Sequence, residues 1–285
     1  TITITGYTGS GGAISIPSDI DGLPVTAIGD NAFSNRSDLT GNLVIPEGVT
    51  SIGDYAFSWC SGLDGTLTLP STLASIGNSV FYGCSGLTGN LVIPEGVTSI
   101  GDYAFHYCSG LTGITVESGN LYYSSVDGML LSKDGTVLIQ CPGGKTGSLV
   151  IPEGVTSIGD YAFSDCDGLT GDLVIPEGVT SIGDYAFSWC YGLDGTLTLP
   201  STLASIGNSV FLGCSGLTGN LVIPEGVTSI GDSAFSGCDG LSSVTFMGDA
   251  PTTMGSDVFA DMSNDLIIYY MPGASGFDAE PWQGL

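Results

Sequence analysis

The stretch "NLVIPEGVTSIGDYAF", Asn90 to Phe105, decides the fold, because nearly the same words stand at Asn42 to Phe57, at Asp172 to Phe187 and from Asn220 onward. Neither a compact enzyme core nor a catalytic site needs a repeated sentence, so the repetition points to stacked equivalent units. Pro46, Pro70 and Pro94 recur every 24 residues, and Pro152, Pro176, Pro200 and Pro224 keep the same interval, which is a solenoid period. Phe57, Phe81, Phe105, Phe163, Phe187, Phe211 and Phe235 share one register, and Cys60, Cys84, Cys108, Cys166, Cys190, Cys214 and Cys238 share another.

Each unit opens on a very short strand such as Leu43-Val44-Ile45, whose alternation sends Leu43 and Ile45 inward and Val44 outward. Pro46 ends the strand. Val49 and Ile52 are apolar again, Gly53 permits a tight bend, and Asp54 is placed to cap a short helical turn carrying Ala56, Phe57 and Cys60. No single unit can bury its Leu, Ile, Phe and Cys alone; stacking puts like on like and makes a continuous core.

The chain has 285 residues, 42% of them hydrophobic, which suffices for a sizeable core and excludes a disordered polymer. Against 29 Asp and Glu stand three basic residues, Arg36, Lys133 and Lys145, for a formal net charge of -26. Nucleic acid and anionic membrane surfaces are poor partners, since both are held by clustered Lys and Arg. No apolar run approaches the roughly 18 to 20 residues of a spanning helix, so no membrane insertion is expected. The chain begins at Thr1 without Met or a charged leader, and the expectation is a mature or trimmed product whose export signal or anchor lies outside it.

The 24-residue interval slips between Pro94 and Pro152. After the strand Ile114-Thr115-Val116 comes "SSVDGMLLSKDGTVLIQCPGG", where Met129 and Leu131 face Val137, Ile139 and Cys141 across Lys133-Asp134-Gly135, a β-hairpin in place of one helical segment. Extra residues follow Pro17, and the last unit drifts to Met254, Val258, Phe259 and Met262 before a strand near Leu266 to Tyr270 and a tail to Leu285, as end coils do. The expected organisation is one solenoid over residues 1–285: an atypical coil and cap at 1–38, regular repeats at 39–113, an irregular coil with the hairpin at 114–148, regular repeats at 149–243, and a terminal coil and cap at 244–285. Residues 43–102 recur at 173–232 with Ser61 becoming Tyr191 and Tyr82 becoming Leu212, and just beyond them Tyr103 becomes Ser233. The block reads as copied whole, which lengthens a surface, whereas an active site gains little from duplication.

The words "IPEGVTSIGDYAFSWCSGL", the opening "IPSDIDGLPVTAIGDNAF", the insert "YYSSVDGMLLSKDGTVLIQCPGGK" and the ending "VTFMGDAPTTMGSDVF…IIYYMPGASGF" closely resemble the BspA-like leucine-rich repeat family over nearly the entire chain. That resemblance implies a secreted or surface-attached protein of the kind found in host-associated bacteria and some protists, with adhesion to matrix proteins, host cells or other microbes as the class of role. The expected fold class is an α/β solenoid: a right-handed leucine-rich repeat stack of about eleven coils, with a short-stranded parallel sheet on one side, short helical or irregular turns on the other, and the β-hairpin insert. The expected function is that of a non-catalytic, extracellular or cell-surface binding module for protein–protein interaction or adhesion to a host or microbial surface or matrix protein. The rival readings are a carbohydrate-binding surface protein, with a glycan as partner, and a rigid spacer without its own ligand.

The outward strand positions Val44, Thr68, Val92, Thr115, Val150, Val174, Thr198 and Val222 form a candidate binding stripe, flanked by Asn42, Thr66, Asn90, Asp172, Thr196 and Asn220. Trp59, Tyr82, Tyr107, Trp189 and Tyr191 are candidate exposed aromatics, suited to protein or sugar contacts, with packing between neighbouring coils as the other reading. Tyr55, Tyr103, Tyr161 and Tyr185 form a further register assigned to cap packing. The in-register cysteines read as buried free thiols, with bridges between coils or a metal as the alternatives, and Cys141, outside the register, reads as the accessible one. His106, the lone histidine, is placed on the outer face, and no Ser or Cys nucleophile stands with a base around it, so no catalytic residue and no enzyme is expected. Glu153 beside Glu177 and Asp160 beside Asp184 make carboxylate ladders. These read as capping and solubility; calcium is the one cofactor they could share, though no D-x-D-x-D-G loop appears.

Overall fold

The computed structural model describes residues 1–262 and 266–277, so the last residues of the expected C-terminal tail, 278–285, lie outside the described residues. The chain divides into two compact units, Thr1–Gly135 with Gln140–Lys145, and Thr136–Ile139 with Thr146–Leu285.

In the first unit Ile2–Ile4, Leu23–Ile28, Ser51–Ile52, Ser75–Ile76 and Ser99–Ile100 form one parallel sheet, with Ile28, Ile52, Ile76 and Ile100 in a single register. A second set of segments pairs Leu43–Val44 with Leu67–Thr68, and Gly89–Ile93 with Leu111–Val116. The second unit repeats the plan. Ser157–Ile158, Ser181–Ile182, Ser205–Ile206, Ser229–Ile230 and Thr253–Met254 run parallel, while Leu173–Val174 pairs with Leu197–Thr198, and Gly219–Ile223 with Leu241–Phe246 and then Ile267–Tyr270. Each regular coil therefore carries two strand segments, one from "NLVI" and one from "TSI", where the sequence pattern announced only the first.

The irregular insert contains an antiparallel hairpin, Tyr123–Val126 against Met129–Ser132. It turns at Asp127 (φ 50°) and Gly128 (φ 74°), the double left-handed pair of a type I′ turn. The same insert holds the Lys133-Asp134-Gly135 segment at which the sequence pattern placed its turn.

The expected helical turns are not formed: among the described residues there is no helix. The reason lies in the backbone of "GDYAFSWC". Tyr55 and Trp59 adopt φ of 57° and 59°, left-handed values that interrupt any right-handed helix. The N–H groups of Tyr55, Phe57 and Trp59 donate to the carbonyls of Asn78, Val80 and Tyr82 in the next coil at 2.9, 2.9 and 2.6 Å. Those of Ala56, Ser58 and Cys60 donate back within the coil to Gly53, Tyr55 and Phe57 at 3.3, 3.1 and 3.1 Å. Half the donors that a helix would direct four residues back are thus spent on the neighbouring coil.

Two local roles change with the loss of the helix. Asp54 does not cap its own turn; its carboxylate accepts the Asn78 N–H of the next coil at 2.7 Å, in a ladder that runs Asp30, Asp54, Asn78, Asp102. The second unit repeats it as Asp160, Asp184, Asn208, Asp232, Ser256. Gly53 is not needed for a left-handed bend. A Cβ there would stand 2.7 Å from the backbone nitrogen of Asp30 and 2.9 Å from the carbonyl carbon of Gly29, so the glycine lets adjacent coils approach.

The core is a column of aromatic rings. Phe33, Phe57, Phe81 and Phe105 stack in the first unit with centroids 4.8, 5.6 and 5.9 Å apart. Phe163, Phe187, Phe211, Phe235 and Phe259 do so in the second at 4.7, 5.5, 5.2 and 5.6 Å. Burying each ring contributes roughly 1.5–3 kcal/mol by area. All eight cysteines are free and buried. Cys60, Cys84, Cys108, Cys190, Cys214 and Cys238 each donate to the phenylalanine carbonyl of the preceding coil, as Cys60 Sγ to Phe33 at 3.0 Å and Cys214 Sγ to Phe187 at 3.0 Å. Cys141 is buried as well, contrary to its expected accessibility, because the chain around it turns inward and the thiol packs on the carbonyl of Pro142 at 3.7 Å. Burial pushes Cys60 up to about 11 and Cys108 and Cys238 up to about 12, so none offers thiolate at neutral pH. Titration with a chromogenic disulfide reagent is expected to find no fast-reacting thiol in the native protein and eight after denaturation; a rapid native equivalent would contradict this packing.

Candidate functional site

The stripe positions emerge from strand alternation. In the first unit Val44 pairs with Thr68 and Val92 with Thr115, and all four face solvent while Leu43, Leu67, Leu91 and Ile114 are buried. In the second, Val174, Thr198 and Val222 are exposed strand positions, whereas Val150, expected among them, is exposed by 71% but lies beyond the end of the two-residue strand Gly147–Ser148. The flanking polar groups are tied between coils: Asn42 Oδ1 accepts the Thr66 N–H at 2.8 Å, and Asp172 accepts that of Thr196 at 2.7 Å and its hydroxyl at 2.9 Å. Those bonds hold the Asp172 carboxyl below its ordinary range. Each stripe is consequently a rigid row of small Val and Thr side chains beside a fixed polar edge.

The aromatic candidates divide. Trp59, Tyr107, Trp189 and Tyr191 are exposed, Trp59 by 49%. Tyr82 is only half-buried rather than exposed, because Trp59 meets it edge-on at 5.3 Å and Tyr107 does the same from the next coil at 5.3 Å. His106 is also not on the outer face. It shares the inward register of Ser58, Ser164 and Ser188 and lies buried among Tyr82, Tyr103 and Tyr107, with ring centroids at 5.4, 6.3 and 4.1 Å. Desolvation pushes its pKa down to about 4, so the imidazole is neutral at physiological pH. Tyr161 and Tyr185 stack at 4.7 Å, as cap packing would have it, while Tyr55 and Tyr103 stand exposed.

Sequence reasoning missed the conformation of these aromatics. Two registers of every regular coil are left-handed. One holds Asn31, Tyr55, Ser79, Tyr103, Tyr161, Tyr185, Ser209, Ser233 and Asp257; the other holds Asn35, Trp59, Gly83, Tyr107, Asp165, Trp189, Gly213, Gly237 and Asp261. Asn, Asp and Gly accept this backbone readily, whereas a bulky residue loses about 1–2 kcal/mol in it. The recurrence of Asn, Asp and Gly in one column was the signal that could have revealed it. Gly83 serves a further purpose: a Cβ there would stand 2.6 Å from Cε3 of Trp59, so the indole rests against a bare backbone. Gly213 gives Trp189 the same seat.

The charge is left largely unneutralised. Arg36 pairs with Asp38 at 2.7 Å and Lys145 with Asp127 at 2.9 Å, while the Lys133 ammonium donates to the carbonyl of Asn120. The ladder carboxylates spend acceptor capacity on backbone N–H groups, Glu177 for instance taking the Ser201 N–H at 3.0 Å. Among the described residues no three His, Cys, Asp or Glu side chains converge on a point where a metal ion would sit. No helix among them is long and apolar enough to cross a membrane.

The profile of the BspA type leucine rich repeat region matches residues 26–126 and 143–265, in six copies. None of the curated proteins matches the chain. Among solved structures, the chain is similar to the pneumococcal vaccine antigen PcpA at 23% identity and a TM-score of 0.67, over 95% of this chain and 81% of that one. It is similar to a leucine rich cell surface protein from Faecalibacterium prausnitzii at 26% identity and a TM-score of 0.59, over 96% and 90%. A leucine-rich repeat protein from Eubacterium ventriosum aligns at 24% identity and a TM-score of 0.60, over 95% and 92%. The repeat that opened the sequence, its stacked coils and its profile agree: the chain belongs to the BspA-type leucine-rich repeat family.

Proposed function

We propose that the protein is a non-catalytic interaction module of a bacterial surface, extracellular in location, whose Val and Thr stripes, one in each unit, dock a protein of a host or microbial surface or matrix. The observation that carries this reading is the stripe itself: exposed, small, β-branched side chains in a fixed register, with their polar neighbours already bonded between coils. Such a face presents apolar area without side-chain entropy to lose, which favours docking of a complementary surface. Kinship with a cell surface protein supports the location.

Binding of the labelled chain to an array of matrix proteins, mucins and polysaccharides, in calcium and again in chelator, tests it. A saturable protein target is expected, with about tenfold or greater weakening for Thr68→Arg plus Thr198→Arg at unchanged thermal stability, since a buried unpaired charge is placed in the contact. A silent array, a target confined to polysaccharides, or a double variant that binds as well as the parent would overturn the reading.

A further inference from the structure

We infer that the ring cluster of Trp59, Tyr82, Tyr103 and Tyr107 in the first unit is a docking surface for an arginine- or lysine-rich segment of a partner protein. This deepens the protein-interaction reading on which it rests, yet it uses none of the stripe residues.

The backbone carries the argument first. Trp59, Tyr103 and Tyr107 hold φ of 59°, 58° and 58°, in columns where Asn31, Asn35 and Gly83 of the same unit take that conformation with less strain. All three rings are nonetheless exposed, so neither backbone preference nor core packing selects them. Tyr55 and Trp189 carry the same strain while exposed, so it is the convergence of Trp59, Tyr103 and Tyr107 around Tyr82 and His106 that sets this patch apart. The rings are also fixed in place. Trp59 rests against Gly83, Tyr82 meets it edge-on at 5.3 Å, and Tyr107 lies nearly parallel to it at 6.4 Å. Buried His106 links Tyr82, Tyr107 and Tyr103 from beneath.

Charge then names the ligand. Ring faces of Trp and Tyr are electron-rich and attract guanidinium and ammonium groups. The chain carries a net charge of -26, which draws cations toward it from a distance. Asp102 is exposed immediately before Tyr103. The chain's own basic groups are committed elsewhere: Arg36 to Asp38, Lys145 to Asp127 and Lys133 to Asn120. One of them already shows the contact in miniature, the Arg36 guanidinium lying 4.7 Å from the centroid of Tyr7. The copied block of the second unit keeps Trp189 on Gly213, but Leu212, Ser233 and Gly237 replace the three tyrosines, so the full cluster occurs once.

Anisotropy of a labelled arginine nonamer titrated with the full chain, at low and at physiological salt, tests the assignment. Saturable binding is expected for the parent. Trp59→Gly plus Tyr107→Gly, whose glycines suit the left-handed backbone and so keep the unit folded, should bind about tenfold more weakly, the ratio that two exposed cation–π contacts supply. Trp189→Gly should bind as the parent does. No binding, equal binding by the double variant, equal loss in Trp189→Gly, or preference for a neutral oligosaccharide over the peptide would each overturn it. Such a failure leaves the stripe reading standing, because that reading is tested by Thr68→Arg plus Thr198→Arg, which leave these rings unchanged.

Discussion

Phe187→Ala is expected to destabilise the second unit by about 3–5 kcal/mol, the largest effect of any single side chain considered. Phe187 is fully buried between Phe163 at 4.7 Å and Phe211 at 5.5 Å, with ring planes within 6° and 8° of its own. Its neighbours cannot collapse into the space left behind, because strand ladders and the backbone bonds of Phe163 to Ala186 and of Phe187 to Val210 set the coil spacing. Urea unfolding of the full chain, followed by hydrogen exchange to assign the loss to coils near residue 187, measures it. In a stacked array the damage should spread to adjacent coils, since each is stabilised chiefly by its neighbours. Phe259→Ala, with a single described Phe neighbour at 5.6 Å, should be milder. A loss under about 1 kcal/mol for Phe187→Ala would mean that the ring column is not what holds the coils together.

Gly231→Ala should also destabilise, by about 1–3 kcal/mol, although simple propensity predicts the opposite sign. Gly231 lies outside the left-handed region, and at such a position alanine ordinarily stabilises by about 0.4–1 kcal/mol through the unfolded state. Here the added Cβ would stand 2.6 Å from the backbone nitrogen of Asn208 and 2.6 Å from the carbonyl carbon of Gly207. Both atoms belong to the preceding coil's backbone and cannot swing aside as a side chain could. Gly6→Ala is the control, since nothing lies within 4 Å of its would-be Cβ and its φ is not left-handed. Thermal denaturation of the two variants should therefore move in opposite directions or leave Gly6→Ala flat; equal shifts would sink the close-approach account.

Much of the architecture was legible because burial is written in composition. The 24-residue column of Phe and Cys, the inward Leu43 and Ile45, and the outward Val44 follow from alternation and from the need to remove like residues from water together. The candidate aromatics were legible as residue types, but their arrangement was not. Tyr82 and Trp59 sit in successive repeats, and only the stacking distance turns two surface residues into an edge-on pair. His106 illustrates the same limit, for its burial depends on tyrosines contributed by its own coil and the previous one.

What the sequence determined by itself was the coil, its period, its buried face and its family, since periodic apolar residues demand burial whatever the local backbone does. What only the tertiary structure decided was the path of "GDYAFSWC". Read alone, Asp54, Ala56, Phe57 and Cys60 describe a capped helical turn; in the stack, Tyr55, Phe57 and Trp59 find carbonyls on the next coil, and the backbone turns left-handed at two points to present them. Glycine at position 53 and the carboxylate at position 54 take their roles from the same source. Local propensity lost because every hydrogen bond to a neighbouring coil satisfies a donor that a short, isolated helix would have left exposed at its first turn.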